Sequence, residues 1–194
     1  MQKTVENIAM LKQQIEPYKK FAQHHHQNLN KDSAHDFRHI KRIISRLDLL
    51  SQEISSVPNK SLLYFLACFH GLKASLNEDK LFQNQVTCFL QGLEWTEGEI
   101  EQAFQSLERH LEAPQIIEEK IVHDANYLEL LGAFGIAKAF TTGGARKQSY
   151  EQTADIFEYR YLDKVKFLSP VGRRIAKEKK TYTKEFMKQL RSEL

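Results

Sequence analysis

Eight histidines are the side chains best suited to chemistry in this chain of 194 residues: His24, His25, His26, His35, His39, His70, His110 and His123. Neutral imidazole holds transition metals, and a metal-bound water becomes an acidic, ready nucleophile. The triplet His24-His25-His26 has the composition of a metal motif but not its spacing. Successive helical residues point about 100° apart, so three neighbours converge on one ion only on irregular backbone. The triplet therefore reads as a solvated helix end. His70 closes a strongly apolar stretch, with Leu66 and Ala67 one turn behind it. It reads either as a core histidine bonded to a backbone carbonyl or as a ligand. His39 lies beside the packing face of an earlier helix. Two interior imidazoles on separate helices become a metal site only where another element supplies carboxylates.

The residues around these histidines form ordered motifs. Ser33-Ala34-His35-Asp36-Phe37-Arg38-His39-Ile40-Lys41-Arg42-Ile43 resembles the opening motif of HD-superfamily metal-dependent phosphohydrolases, most closely their small stand-alone bacterial subgroup, with its His-Asp-x-x-His-x-x-Arg-Val pattern. Leu66-Ala67-Cys68-Phe69-His70-Gly71 resembles the superfamily's Ala-x-Leu-His-Asp stretch, and His123-Asp124-Ala125-Asn126-Tyr127-Leu128-Glu129 its Asp-Ala-Asp-x-Leu-Asp helix. Leu131 to Phe140, Gly143-Gly144 and Gly172-Arg173-Arg174-Ile175-Ala176 continue the subgroup pattern, so the likeness runs from about Phe21 to the C-terminus.

That resemblance implies a helical domain whose metal is held by a first histidine, a His-Asp pair and a final aspartate. His39 matches the first ligand and His70 the histidine of the pair. Gly71 occupies the position of the pair's aspartate, and Asn126 that of the final one, with Asp124 the alternative alignment. Glycine offers no side-chain ligand and asparagine only a neutral carbonyl oxygen. A divalent ion (Mn, Ni, Zn, Fe or Mg) is then expected to be held weakly or not at all, and the hard ions Mg²⁺ and Mn²⁺ least well. His110 and His123 are further imidazoles that would enlarge the donor set. The opposing reading of His123 is a surface residue beside Asp124, and of His110 a residue facing a helix C-terminus. His35 and Asp36 would orient His39 or meet a phosphate, Asp36 serving equally as a helix cap; Lys73 and Lys138, with Arg38 and Arg42, would neutralise phosphate oxygens.

The elements that must position these groups are helical throughout. Apolar residues recur at three- and four-residue steps in Val5 to Ile15, interrupted or kinked at Pro17, and again over 37–50. The stretch 61–72 is apolar on nearly all sides and reads as a buried helix. Further helices are expected over 80–93, 96–110 (with a Thr96–Glu99 capping box) and 114–140, where Pro114 suits a first turn. Gly143-Gly144 reads as a loop, 156–167 as a helix, and Ser169-Pro170 as the start of the last helix. The expectation is an all-α protein, a single HD-domain-like bundle of about seven or eight helices, with 1–20 as an N-terminal helix packed on a domain spanning 21–194.

Composition narrows the function classes. Hydrophobic residues at 41% and charged residues at 27% exclude a disordered chain, and eight glycines with four prolines disfavour a turn-rich β fold. The net charge, 28 − 25 = +3, does not imply nucleic-acid binding, and Glu178, Glu185 and Glu193 dilute the basic C-terminal stretch. Cys68 and Cys88 read as reduced core residues; with no signal-like or membrane-spanning run, a cytoplasmic location is expected. The resemblance implies a nucleotide or small phosphoester as the partner. Three function classes follow: a metal-dependent phosphohydrolase with weakened or lost activity; a catalytically silent HD-fold binding or regulatory protein; and a nucleic-acid-binding helical protein, which rests only on the mild positive balance and the basic C-terminal helix.

Overall fold

Apolar spacing at helical intervals becomes buried helix faces in the computed structural model, which describes residues 14–26, 37–162 and 164–194. Every regular element among them is helical. They are α1 (residues 14–26), α2 (Phe37–Ile44), α3 (Leu47–Leu50), α4 (Lys60–Phe69), α5 (Lys73–Glu78), α6 (Lys80–Gln91), α7 (Glu97–Arg109), α8 (Ile117–Tyr127), α9 (Gly132–Ala145), α10 (Tyr150–Phe157) and α11 (Pro170–Glu193). Short 3₁₀ turns at His70–Leu72 and Leu128–Leu130 follow α4 and α8, and a π turn at Glu158–Leu162 follows α10. No helix among the described residues is long and apolar enough to cross a membrane.

The chain divides into two compact units. Of the described residues, the first contains those up to Ser45 together with Pro58–Val122, and the second those of Arg46–Val57 with His123–Leu194. The centre of the first is α4, buried from Leu62 through Phe69, with α2 and α7 packed on it. Phe65 and Phe69 stack with ring centroids 4.6 Å apart, and Trp95 donates its indole N–H to the Tyr18 hydroxyl at 3.1 Å. Local caps fix the helix starts: Asn59 accepts from the Leu62 amide, Asp79 from Leu81 and Phe82, and Thr96 closes a reciprocal box with Glu99.

In the second unit α9 packs on α10 and α11, and α11 on α3. Ile136, Ala154, Phe157 and Met187 form its apolar cluster. Gly132 takes φ +75°, which its missing Cβ allows, and its amide donates to the buried Thr183 hydroxyl at 2.8 Å.

Several expectations are corrected. Pro17 does not interrupt the helix, which runs unbroken over 14–26. The helix expected over 37–50 breaks at Ser45, whose hydroxyl bonds the Arg42 carbonyl, and the break falls at the boundary between the units. Gly143 and Gly144 lie inside α9; a Cβ on Gly143 would stand 2.2 Å from Thr153 Oγ1, so this glycine permits close helix packing rather than a turn. Pro114 precedes α8 instead of opening it, the start being fixed by Glu119, which accepts from the Gln115 amide. The helix expected over 156–167 starts earlier, at a Ser149–Gln152 capping box, and α10 ends at Phe157. Cys88 is exposed, unlike Cys68. Of the histidine triplet only His24 is exposed: His25 packs between Phe21 and Phe82, and His26 is buried beside Phe37.

Candidate functional site

The first unit brings three of the sequence-selected histidines together. His39 comes from α2, His70 from the turn that ends α4, and His110 from the end of α7. The packing of α2 and α7 on the apolar α4 determines that meeting. The His39 and His70 ring centroids lie 5.3 Å apart, and those of His70 and His110 5.1 Å apart. His70 Nδ1 is 2.8 Å from His110 Nε2, and His110 Nδ1 is 2.7 Å from the Leu107 carbonyl oxygen.

A carbonyl only accepts, so the His110 proton is on Nδ1. With neutral rings, His110 Nε2 then accepts the Nδ1–H of His70, and the lone pair of His70 is on Nε2. His110, 1% exposed, fixes both the tautomer and the plane of His70. Each of its own ring nitrogens is engaged in that brace. In the sequence His110 reads as a further metal imidazole or a helix-end residue; its pairing with His70 across 40 positions is not legible there.

Two imidazoles are half of a tetrahedral donor set. Among the described residues no group of three His, Cys, Asp or Glu side chains is placed to hold a metal ion. The described residues by themselves therefore do not make up a complete family-type centre. His35 and Asp36 lie outside the described residues. Lys73, read as a phosphate contact, is tied at Nζ to the Glu108 carbonyl oxygen at 2.7 Å, the Glu108 carboxylate at 3.0 Å and that of Glu112 at 3.6 Å. The bond to Glu108 raises its pKa above the ordinary lysine value. Arg109 Nε and Nη2 both donate to Glu119 Oε1, at 2.9 and 2.8 Å, while Oε2 accepts from the Gln115 amide, and the Glu119 carboxylate is wholly buried.

Arg38 and Arg42 are on α2 of the first unit, and the second unit holds Asp124, His123, Asn126 and Lys138. Asp124 is fully buried and accepts from the Leu168 amide at 3.0 and 3.1 Å, the Ser169 amide at 2.8 Å, the Ser169 hydroxyl at 2.7 Å and His123 Nδ1 at 3.0 Å. The Ser169 hydroxyl oxygen in turn caps α11 by accepting from the Gly172 amide. A Cβ on Gly172 would stand 2.2 Å from Asp124 Oδ2, so the Gly172-Arg173-Arg174 motif begins with the residue that lets the carboxylate in. His123 is buried against Tyr127, contrary to the surface reading. Lys138 Nζ lies 3.8 Å from Glu129, a buried acid also bound by Arg46 at 3.2 Å. Glu129 was missed although it ends the quoted Asp-Ala-Asp-x-Leu-Asp pattern; an acid for an acid was the available signal. Asn126 is half-buried on α8.

No protein-family model matches the chain, and no curated protein matches it. Solved structures do. An HD-superfamily hydrolase of Bacillus thuringiensis is 25% identical, with 94% of this chain and 97% of that one covered and a TM-score of 0.74. A Listeria innocua protein is 24% identical, over 93% and 95% of the two chains, at 0.72. Bacillus subtilis YpgQ, solved in complex with ADP, is 19% identical over 95% and 96%, at 0.75. The chain has the HD-superfamily fold in the form carried by these small bacterial proteins.

Proposed function

We propose that this protein is a phosphohydrolase-like member of the HD lineage that binds a nucleotide or small phosphoester and hydrolyses it weakly or not at all. The observation that carries the reading is the donor set: His39 and His70 remain, His70 aligned by His110, but glycine follows His70 where the resemblance places an aspartate. A hydrolytic metal needs ligands that fix it and a water whose proton it withdraws. Two imidazoles favour Zn²⁺ or Ni²⁺ over Mg²⁺ and supply no negative charge to a hard ion. Bacillus subtilis YpgQ in complex with ADP supports a nucleotide as the ligand class.

The chain's own residues have definite tasks in this reading. His70 presents a lone pair at Nε2 because its other nitrogen donates to His110, and the Leu107 carbonyl keeps that relay from reversing. Asn126 stands at the other departed position and brings no charge.

Titration calorimetry with Zn²⁺, Ni²⁺ and Mn²⁺, alongside phosphate release from a nucleotide panel, tests the proposal. The parent protein is expected to bind Zn²⁺ or Ni²⁺ weakly and Mn²⁺ below detection. Gly71→Asp should raise metal affinity by about tenfold or more, equivalent to about 1.4 kcal/mol. Tight Mn²⁺ binding with rapid turnover in the parent would overturn the weakened centre. Unchanged metal affinity in Gly71→Asp would show that this position does not face an ion.

A further inference from the structure

The C-terminal helix separates its charges by face, a property that a simple count of lysines and glutamates conceals. At about 100° per residue, Arg173, Lys177, Lys180, Lys184 and Lys188 fall within one arc of roughly 80°. Glu178 and Glu185 lie outside that arc, on a different face. The stripe borders an open groove of about 620 Å³ in the second unit, which Lys166 also lines from the preceding segment. Among the described residues that line this groove, five are cationic and none is acidic. Its floor is apolar, from Val165, Phe167 and Ala176.

Two internal bonds hold the groove's shape. Lys180 Nζ donates to the Val165 carbonyl at 3.1 Å while lying 5.8 Å from the Phe167 ring centroid, and Arg173 donates to the Leu168 carbonyl at 2.7 Å. Lys166, Lys177 and Lys184 are exposed. Neighbouring cations on α11 follow one another at steps of about 4.5 to 6 Å, and the stripe from Arg173 to Lys188 is about 22 Å long at the α-helical rise. That length exceeds what one nucleotide spans and suits a chain of phosphates. The exposed aromatics of the same helix, Tyr182 and Phe186, lie about half a turn away from the stripe. A lipid surface needs cations and apolar anchors on one side of a helix, so this arrangement disfavours it.

We infer that the α11 groove binds the phosphodiester backbone of a single-stranded nucleic acid, without regard to base sequence. Lysine and arginine side chains replace condensed counterions there, which makes the affinity steeply salt-dependent. The inference does not rest on the histidine cluster, and its outcome is independent of metal binding.

Fluorescence anisotropy of the 194-residue chain with a labelled oligouridylate tests it. Five phosphate contacts at about −0.7 log units each predict roughly a 100-fold loss of affinity between 50 and 200 mM salt. The triple variant Lys166→Gln, Lys177→Gln, Lys184→Gln retains two of the five groove cations, and its loss over the same range should shrink to about sevenfold. All three positions are exposed, and circular dichroism melting verifies that the variant folds like its parent. Absence of binding at 50 mM salt, or equal binding by the triple variant, would overturn the inference. So would tighter, lysine-dependent binding to phosphatidylserine vesicles, or full displacement of the oligonucleotide by an equimolar nucleoside triphosphate.

Discussion

Replacing Asp124 with asparagine separates a structural carboxylate from a metal ligand at the position where the family pattern leaves that choice open. The side chain is wholly buried and collects donors from Leu168, Ser169 and His123. Asparagine keeps the shape but turns one of the two acceptor oxygens into an NH₂ group. If the amide oxygen stays toward His123 and Leu168, that NH₂ faces the Ser169 amide, which then has no acceptor. A buried unsatisfied N–H costs about 1–3 kcal/mol, and each hydrogen bond to a charged group contributes about 1.5–3 kcal/mol. Rotation of the Ser169 hydroxyl recovers part of this, so the net loss should be about 3 kcal/mol. At this chain length that lowers Tm by about 6–12 °C. Urea unfolding and thermal melts followed by circular dichroism measure it, each run in Ni²⁺ and again in chelator. The expected result is the same loss in both. A loss below about 1 kcal/mol, or one that disappears in chelator, would refute the assignment of Asp124 to the α11 cap.

Related outcomes follow from neighbouring geometry. Gly172→Ala puts a methyl group 2.2 Å from Asp124 Oδ2 and 2.6 Å from Ser169 Oγ, and overpacking there should cost about 1–3 kcal/mol in urea unfolding. In the first unit, burial alone would raise the pKa of Glu119, but Arg109 and the Gln115 amide outweigh it and hold the carboxyl below its ordinary 4.5. The stability this contributes is complete above 4.5 and is lost as the pH falls through the lower folded-state value. Arg109→Gln should therefore be less stable than the parent at neutral pH, with the gap narrowing on acidification; a gap constant with pH would contradict the pairing.

What the sequence disclosed was local. Thr96 with Glu99 and Ser169 with Pro170 act within one helical turn, so their capping roles are visible in the order of residues and recur in the structure. The apolar run that became α4 was likewise legible, because a helix without a polar face has only an interior to occupy. The misreadings have distant causes. Leu168 and Ser169 give their amides to Asp124, 44 and 45 positions away, and a helix expected through Phe167 stops at Phe157 instead. The closeness of Gly143 to Thr153 depends on how α9 meets α10, which no property of a Gly-Gly pair reveals. In the histidine cluster, types and positions could be read, but the brace that aligns His70 required the fold.

The acids that remain and the acids that are missing divide by task. Asp124 holds the start of α11, Glu129 neutralises Arg46 beside Lys138, and Glu119 fixes the start of α8 while pairing with Arg109. Each is buried; removing Asp124 would strand the buried Ser169 amide, and removing Glu129 or Glu119 would leave the half-buried Arg46 or Arg109 without its carboxylate. Gly71 and Asn126, where the resemblance leads one to expect carboxylates, carry no charge that the fold must balance. A carboxylate whose only partner is an ion can be absent without opening a hole in the hydrogen-bond network, whereas a capping carboxylate cannot. The HD fold, at whole-chain similarity to a solved member, thus rests on the capping and pairing acids and does not require carboxylates at positions 71 and 126.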